Sequence, residues 1–390
     1  MRKQHFVILF GFLSAILVIS ALIYYQKLCT TYILPAEFEN QQAIWLQSPE
    51  GHYVSDGMSV YSAFIDIIRA LEPHIKVNLV AESKDEIADI QESFKTNGIS
   101  GKNVIYYVVN HYSIWARDVG PLFVKNRLGK LNVVDFGFNN YGKGASRDFI
   151  DVESNIHKSI AQQLGLPLIS TNLVTEGGAI ESNGRGTLMT IEAVALNRNP
   201  GLTRNQIESE YKRVLGVKKI IWLKQGLAED DLITKGHIDE VARFVSPDTI
   251  FLAQVLPGDI NTNSTSYDSY QRLEESYNIL RNSTDQDGKP FNIIRIPMPP
   301  TLYSQMDATG KIPVRSYLNY AVTDGAVVMP SYWTPGRSDE LKSTETKVRG
   351  IFQSVFPGRR IIAVNVESIN FWGGGIHCVT QHMPAVRHIV

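Results

Sequence analysis

The chain has 390 residues, of which 44% are apolar and 20% are charged, with 38 Lys and Arg against 39 Asp and Glu. This composition excludes a disordered, collagen-like or coiled-coil protein for most of the length. The formal net charge is −1 and no basic run follows the first residues, which argues against binding to nucleic acid. Two cysteines are too few for a disulfide framework.

The amino terminus carries an uncharged apolar run of 20 residues, Phe6–Tyr25, preceded by Arg2 and Lys3. At about 1.5 Å per residue, a helix of this length would span the ~30 Å hydrocarbon core of a bilayer. We therefore predict an uncleaved signal anchor in residues 1–30 with a transmembrane helix at about 6–25, a cleaved signal peptide being the alternative. The basic residues favour a cytoplasmic amino terminus. Residues 31–390, predicted to form one catalytic domain, would then lie on the periplasmic or extracellular side of the membrane.

After residue 30, strand pairs alternate with amphipathic helices, unlike the single alternating strands of a doubly wound sheet. Helices are predicted at Met58–Leu71, Asp85–Phe94, Asp151–Leu164, Arg204–Leu215, Tyr267–Leu280 and Glu340–Val355. Equivalent positions of the pattern lie 57 to 81 residues apart, at Ile44, Ala116, Gly177, His237, Leu318 and Gly375. Roughly five similar units separate these positions, which predicts a radial array whose units each contribute a strand end to one central site.

Chemically active side chains stand at these predicted strand ends. Asp118 is followed by a Gly-Pro pair that can turn the backbone sharply, and Glu176 precedes Gly177–Gly178, where a ligand or another backbone can approach closely. His237 and Asp239 alternate on a predicted strand, so we expect both side chains on one face. Alone, each of these motifs also fits an ion pair, a turn or a strand contact.

Cys378 shifts the interpretation toward catalysis. It follows the segment Gly373–His377, whose three glycines suit a thiol presented at a cleft better than an apolar core. A thiolate nucleophile needs a partner that lowers its pKa, and His237 is the candidate; an inert buried cysteine is the alternative. A metal site of His377, Cys378 and His382 is disfavoured, because neighbouring residues of a strand point to opposite faces.

Four separated motifs resemble, in their order, the signature of the agmatine deiminase and bacterial peptidylarginine deiminase family. These motifs are Trp115–Pro121, Glu176–Gly178, Gly236–Asp239 and Gly374–Gln381. The segments Pro35–Phe38 and Ala43–Leu46 resemble the opening of the family, so the resemblance covers residues 33–384. The family belongs to the guanidino-group-modifying enzymes. The resemblance therefore implies an α/β fold, a five-bladed propeller with pseudo-fivefold symmetry, which agrees with the five units counted above.

The resemblance also implies a covalent hydrolysis of a guanidine with release of ammonia. Cys378 would attack the central guanidinium carbon and form a thiouronium intermediate. His237 would protonate the departing ammonia and then activate water, and Glu176 would orient and stabilise the imidazole. Neither a metal nor an organic cofactor is expected.

Substrate binding is assigned to four further residues by the same resemblance. Asp118 and Asp239 would clamp the planar guanidinium through paired, charge-assisted hydrogen bonds. Asn319 matches a position near the guanidinium, and Trp115 would cover the methylene chain of the substrate. The expected partners are thus a small guanidine or an arginine-containing peptide, and the membrane through the amino-terminal helix.

The identity of the guanidine is left open between two substrates. The length of the catalytic portion favours agmatine, which would yield N-carbamoylputrescine as in polyamine synthesis. Agmatine deiminases typically have Trp at the position of Tyr141, Gln at that of His382 and His near Glu181. These departures and the predicted export keep peptidyl arginine, converted to citrulline, as the alternative. A cysteine protease, which needs no ring of carboxylates, and a non-catalytic anchored binding protein are more distant alternatives.

Overall fold

The computed structural model of the protein describes residues 17–49, 54–55, 58–260, 263–300 and 313–386. Its strands are β1 (Tyr32–Ile33), β2 (Gln41–Gln47), β3 (Val54–Ser55), β4 (Met58–Ser59), β5 (Lys76–Ala81), β6 (Val104–Val108), β7 (Leu122–Asn126), β8 (Leu131–Gly137), β9 (Leu168–Val174), β10 (Ile180–Ser182), β11 (Thr187–Ile191), β12 (Lys219–Leu223), β13 (Ala242–Ser246), β14 (Thr249–Gln254), β15 (Asn292–Pro297), β16 (Ala321–Val322), β17 (Ala326–Ser331), β18 (Arg360–Asn365) and β19 (Gln381–Pro384). Its helices are α1 (17–30), α2 (Val60–Leu71), α3 (Lys84–Thr96), α4 (Ala116–Val119), α5 (Arg147–Glu153), α6 (Ile156–Leu164), α7 (Glu192–Arg198), α8 (Arg204–Leu215), α9 (Ser264–Arg281), α10 (Asp339–Val355) and α11 (Glu367–Asn370).

In the described part of the chain, five sheets of three or four strands share one pairing pattern. Each has an entry strand that pairs antiparallel with a second strand, and the second strand pairs in parallel with a third that follows at least one helix. The entry strands are β7, β10, β13, β16 and β19. Parallel neighbours need such a helical crossover, which covers one face of each sheet. The predicted α/β class is confirmed, and the five sheets match the five units in number.

The last strand, β19, pairs antiparallel with β2 near the other end of the chain. Gln381 lies opposite Trp45, and His382 lies opposite Ile44. The segments around Ile44 and Gly375 therefore belong to one sheet. This pairing explains why six equivalent positions in the sequence define only five units.

Local sequence signals set the helix boundaries. Helix α8 begins at a capping box, in which Thr203 accepts a hydrogen bond from the Gln206 backbone and the Gln206 side chain accepts one from the Thr203 backbone. It ends at Gly216, whose φ of +69° is left-handed. Its buried residues Ile207 and Tyr211, four positions apart, pack into a hydrophobic cluster. The predicted bounds Arg204–Leu215 are confirmed.

The predicted helix Asp151–Leu164 is instead two helices, α5 and α6. Helix α5 ends at Glu153. This residue is fully buried, and its carboxylate accepts hydrogen bonds from the backbone N–H groups of Tyr112 and Ser113. Hydrophobic periodicity alone does not reveal this inward-facing carboxylate. At this break the carboxylate satisfies two backbone donors of a neighbouring loop.

The predicted transmembrane helix is wrong for the described residues. Residues 17–30 are the described part of helix α1. No helix among the described residues combines the length and the apolar character needed to cross a membrane. Residues 6–16 of the predicted span lie outside the described residues. The extracytoplasmic location and the boundary between residues 30 and 31 stay predictions.

Alanine substitutions at two glycines, Gly165 and Gly216, test how closely helix α8 packs against strand β1. Gly165 and Gly216 both end helices with a left-handed φ, of +65° and +69°. A Cβ at Gly216 would lie 1.7 Å from the Tyr32 carbonyl oxygen, whereas a Cβ at Gly165 would have no neighbour within 4 Å. We expect Gly165→Ala to lower the free energy of unfolding by about 1 kcal/mol, and Gly216→Ala to lower it by at least ~2 kcal/mol more.

Urea denaturation of the two variants measures this difference directly, with Gly165→Ala as the matched control for the left-handed backbone. Equal losses of stability in both variants would show that the contact between Gly216 and strand β1 contributes nothing beyond backbone strain.

Candidate active site

The predicted site residues lie in the turns that lead into the five entry strands. Their order along the chain is Asp118 before β7, Glu176 before β10, His237 and Asp239 before β13, Asn319 before β16 and Cys378 before β19. All six are at most 8% exposed. The repeated pairing of the sheets thus delivers one or two polar side chains from each unit to a common buried site.

Cys378 is held by contacts from two other units. The Asn319 amide Nδ2 donates a hydrogen bond to Cys378 Sγ at 3.1 Å, and the thiol donates to Asp239 Oδ2 at 3.5 Å. The Asn319 oxygen Oδ1 accepts from the His377 backbone N–H at 2.8 Å, which fixes the residue before the thiol. A Cβ at Gly374 would lie 3.0 Å from Cys378 Sγ, so a glycine there leaves the space that the thiol needs.

The His237 imidazole lies between two carboxylates. Its Nδ1 is 3.8 Å from Asp118 Oδ1, and its Nε2 is 3.5 Å from Glu176 Oε2. Burial lowers the pKa of His237, but Asp118 and Glu176 outweigh that effect and raise it to about 9. The imidazole is therefore protonated at neutral pH and can act as a proton donor.

The two carboxylates assigned to substrate binding differ in their surroundings. Burial raises the pKa of Asp118 to about 6, although its Oδ1 accepts a hydrogen bond from the Gly178 backbone at 3.2 Å. Burial also opposes ionisation of Asp239, but the contact with His377 at 2.7 Å and the charges nearby hold its pKa below the usual range. Both groups are ionised at neutral pH, and both can accept hydrogen bonds from a cation.

The thiol is electrostatically disfavoured as an anion in the free protein. Burial raises the pKa of Cys378 well above its ordinary value, and the charges of Asp239, Glu240 and Asp118 add to this effect. A thiolate would join several carboxylates in a medium that screens charge poorly. The site consequently favours a ligand that brings positive charge with it.

A second ionic cluster supports the site from one side. The Glu37 carboxylate bonds the guanidinium groups of Arg117 and Arg243, and His377 Nε2 lies 2.9 Å from Glu37 Oε2. The ligand atoms of Glu37, His377 and His382 all lie within 4.8 Å of one another, a spacing compatible with a metal ion. Two guanidinium groups on the same carboxylate would repel that ion. The donor set therefore fits an ion-pair cluster better than a metal centre.

Comparisons with known proteins decide the family. The sequence profile described as Porphyromonas-type peptidyl-arginine deiminase matches residues 33–384. The chain belongs to this family. The agmatine deiminase of Pseudomonas fluorescens is 30% identical over 373 residues, which cover 90% of this chain and 95% of that protein. The agmatine deiminase of Medicago truncatula is 29% identical over 382 residues, which cover 90% of this chain and 96% of that protein.

A solved structure shares the whole architecture. The agmatine deiminase of Enterococcus faecalis superposes with a TM-score of 0.77 at 26% sequence identity, covering 92% of this chain and 97% of that chain. The predicted family is thereby confirmed. This member of the family is a hydrolase that acts on carbon–nitrogen bonds, and its chemistry is the deimination of guanidino groups. The roles predicted for individual residues stay predictions.

The structure differs from the sequence-based expectation in local conformation. His237 was expected on a strand with Asp239, but Ile238–Glu240 form a 3₁₀ turn. Gly177–Ala179 form a second such turn, and Trp115 precedes the short helix α4. Trp115 Cζ3 would lie 2.6 Å from a Cβ at Gly374, which places the indole against the glycine segment before Cys378.

Three contributors to the site have no signal in residue spacing. Arg198 Nε donates to Glu176 Oε1 at 2.7 Å, and the Tyr141 hydroxyl donates to Asp118 Oδ2 at 2.9 Å. Glu37, the third, lies in the opening segment Pro35–Phe38, which carried no predicted role. Arg198 is the last residue of helix α7, and nothing in its spacing marks it. Tyr141 is marked in the sequence only as a departure from the Trp typical of agmatine deiminases, so the three-dimensional contacts are what identify the bonds of both residues to the site.

A substitution at Gly178 tests whether His237, Asp118 and Asp239, the three polar groups around it, must keep their spacing. A Cβ at Gly178 would lie 2.6 Å from His237 Nδ1, 2.9 Å from Asp118 Oδ1 and 3.2 Å from Asp239 Oδ2. We expect Gly178→Ala to lower kcat/KM by about 100-fold or more, because a displacement near 1 Å at reacting groups costs on the order of that factor.

Steady-state release of ammonia from a guanidine measures the effect. Gly258→Ala is the control, since a Cβ there meets nothing within 4 Å and should leave kcat/KM unchanged. Activity of Gly178→Ala within about threefold of the parent, well below the factor expected for displaced groups, would contradict the proposed convergence of these groups on one substrate.

Proposed function

We propose that this protein hydrolyses agmatine to N-carbamoylputrescine and ammonia through a covalent intermediate on Cys378. The observation that carries the proposal is a buried thiol that donates to Asp239, together with a buried imidazole between Asp118 and Glu176, all drawn from four of the five units. Relatives from Pseudomonas fluorescens and Medicago truncatula, each matched over at least 90% of this chain, are agmatine deiminases. Their names support agmatine as the guanidine.

Binding begins with the clamp of Asp118 and Asp239. A guanidinium is planar and carries its N–H donors in a fixed fork, which two ionised carboxylates can bond from different sides. The incoming cation competes with the Cys378 thiol for Asp239 Oδ2, the atom to which the thiol donates at 3.5 Å. Binding therefore frees the sulfur while it neutralises the charge that disfavours the thiolate.

The bound cation makes the nucleophile available. Positive charge near Cys378 lowers the pKa of the thiol, which then loses its proton to solvent. The thiolate forms a C–S bond with the central guanidinium carbon. The protonated His237 imidazole donates its proton to one nitrogen, the C–N bond breaks, and ammonia leaves. The product of this half-reaction is a thiouronium on Cys378.

Hydrolysis then restores the sulfur. The neutral His237 takes one proton from water as the oxygen attacks the thiouronium carbon. The C–S bond then breaks with its electron pair on sulfur, and the second proton of the oxygen passes to the sulfur and regenerates the thiol. The oxygen remains in the ureido group of the product. Glu176 lies 3.5 Å from His237 Nε2 and stabilises the imidazolium that forms.

Peptidyl arginine is the second candidate, favoured by the description of the matching family. A peptide must bring its backbone close to the guanidinium site, whereas agmatine ends in a single amine. Cys378 is 6% exposed and His237 is 2% exposed. This burial favours the smaller substrate, and a direct comparison separates the two.

The full-length protein should release ammonia from agmatine and yield a ureido product. Cys378→Ala should lose this activity, and mass spectrometry of acid-quenched parent enzyme should show an adduct equal to agmatine less ammonia. Cys29→Ala is the matched control, because Cys29 is the other cysteine of the chain and should be dispensable.

Two outcomes would contradict the proposal. Turnover by Cys378→Ala would exclude the covalent route. A value of kcat/KM at least tenfold higher for an arginine-containing peptide than for agmatine, about 1.4 kcal/mol of preferential transition-state binding, would assign the peptide as substrate.

The pH dependence of kcat/KM should be a bell. Burial raises the pKa of Asp118 to about 6, so the clamp loses its charge, and the enzyme its affinity, as pH falls through that value. Burial lowers the pKa of His237 less than the adjacent carboxylates raise it, to about 9, so the proton for ammonia is lost as pH rises through that value. Rate measurements in a constant-ionic-strength buffer should place the plateau between these two limits. A profile that stays flat across both would exclude these groups as the controlling acid and base.

A further inference from the structure

A strained loop presents one aromatic side chain to the site. Asn140 and Tyr141 are consecutive residues with left-handed φ values of +53° and +57°. Residues with a Cβ rarely adopt this conformation, and two in succession persist only where the surroundings impose them. The contacts that impose it come from Asn139, whose side chain accepts from the Gly142 N–H at 2.9 Å and donates to the Arg198 carbonyl at 3.1 Å.

The strained loop places Tyr141 against Asp118, predicted to bind substrate, and His237, predicted to be catalytic. Its hydroxyl donates to Asp118 Oδ2 at 2.9 Å, and its ring meets the His237 ring edge-on with centroids 5.9 Å apart. The Arg198 guanidinium lies 5.8 Å from the centre of the Tyr141 ring and also bonds Glu176 at 2.7 Å. One side chain therefore contacts, directly or through Arg198, three groups of the site.

We propose that Tyr141 is a positioning residue for guanidinium binding, whose hydroxyl fixes the Asp118 carboxylate in the orientation that receives the substrate cation. The inference rests on the proposed function. Asp118 Oδ1 is already fixed by the Gly178 N–H at 3.2 Å, so the Tyr141 hydrogen bond to Oδ2 removes the remaining freedom of the carboxylate. A carboxylate held in this way loses little further freedom on binding.

The hydroxyl also favours the charged form of Asp118. The titratable groups that face this carboxylate are His237 and Asp239 from the turn before β13, Glu176 from the turn before β10, Cys378 from the turn before β19, and Tyr141 itself. Burial and the two carboxylates favour the neutral acid, whereas His237 and the Tyr141 hydrogen bond favour the carboxylate. Loss of the hydroxyl should raise the pH at which Asp118 becomes protonated.

The experiment compares Tyr141→Phe with Tyr112→Phe in the full-length protein. Tyr112 also donates a hydrogen bond to an aspartate at 2.9 Å, to Asp148, but outside the candidate site. Both variants lose one phenol–carboxylate bond of equal length. We expect Tyr141→Phe to raise KM for agmatine about tenfold with kcat within about threefold, and to move the acid limb of kcat/KM to higher pH. Tyr112→Phe should change neither.

A binding measurement separates positioning from catalysis. Calorimetry with agmatine should show about tenfold weaker binding to the double variant Cys378→Ala/Tyr141→Phe than to Cys378→Ala. Urea denaturation of both single variants serves as the folding check, since phenylalanine keeps the ring that packs on His237. If Tyr141→Phe does not fold, a Tyr141→Leu variant should repeat the loss of affinity in the same background.

The outcomes separate the two proposals. Unchanged KM, acid limb and affinity in Tyr141→Phe, with an active parent enzyme, would overturn the role of Tyr141 and leave the deiminase proposal intact. A parent enzyme that neither binds nor hydrolyses agmatine would overturn the proposed function, and the inference with it. Equal changes in Tyr112→Phe and Tyr141→Phe would assign the effect to general stability and overturn the positioning role.

Discussion

Burial of three carboxylates beside a thiol is the constraint on which the rest of this structure depends. A carboxylate removed from water is costly unless a donor or a cation compensates it. Each one here has such a partner. The pairs are Asp118 with Tyr141, Glu176 with Arg198 and Asp239 with His377. The partners compensate the carboxylates only in part, since Glu176 Oε2 and Asp239 Oδ1 are buried without a hydrogen-bond partner among the described residues, and the remaining charge is what a guanidinium can bind.

The architecture brings these carboxylates and the thiol together. Each sheet turns its chain into the entry strand at an equivalent place, so one repeated pairing pattern presents five turns to one site. The pairing of β19 with β2 brings the turn that carries Cys378 into this arrangement. Glycine is needed where turns from different units meet most closely, as at Gly178 between His237 and Asp118. The site is therefore made of contacts between units rather than within one.

The sequence predicted those parts of the fold and site that depend on local pattern. Periodicity located helices such as α8, and the glycine segment before Cys378 indicated a presented thiol. It failed where contacts are distant in sequence, as with Glu153, the last residue of helix α5, whose carboxylate binds a loop 40 residues earlier. The same reason hid Arg198 and the contact of Tyr141 with Asp118. The apolar run at the amino terminus also misled, since no helix among the described residues has the length and apolar character to cross a membrane.

The electrostatics of the site also explain how a nucleophile can be kept inert until it is needed. In the free protein, burial and neighbouring carboxylates keep the Cys378 thiol neutral, while His237 is held protonated by Asp118 and Glu176. A neutral thiol reacts poorly with oxidants and electrophiles. In the proposed mechanism a guanidinium reverses the balance, because it would carry the charge that a thiolate requires to the carboxylates that would bind it. Recognition and activation would then be one event, and a neutral ligand of the same shape would occupy the site without producing the nucleophile.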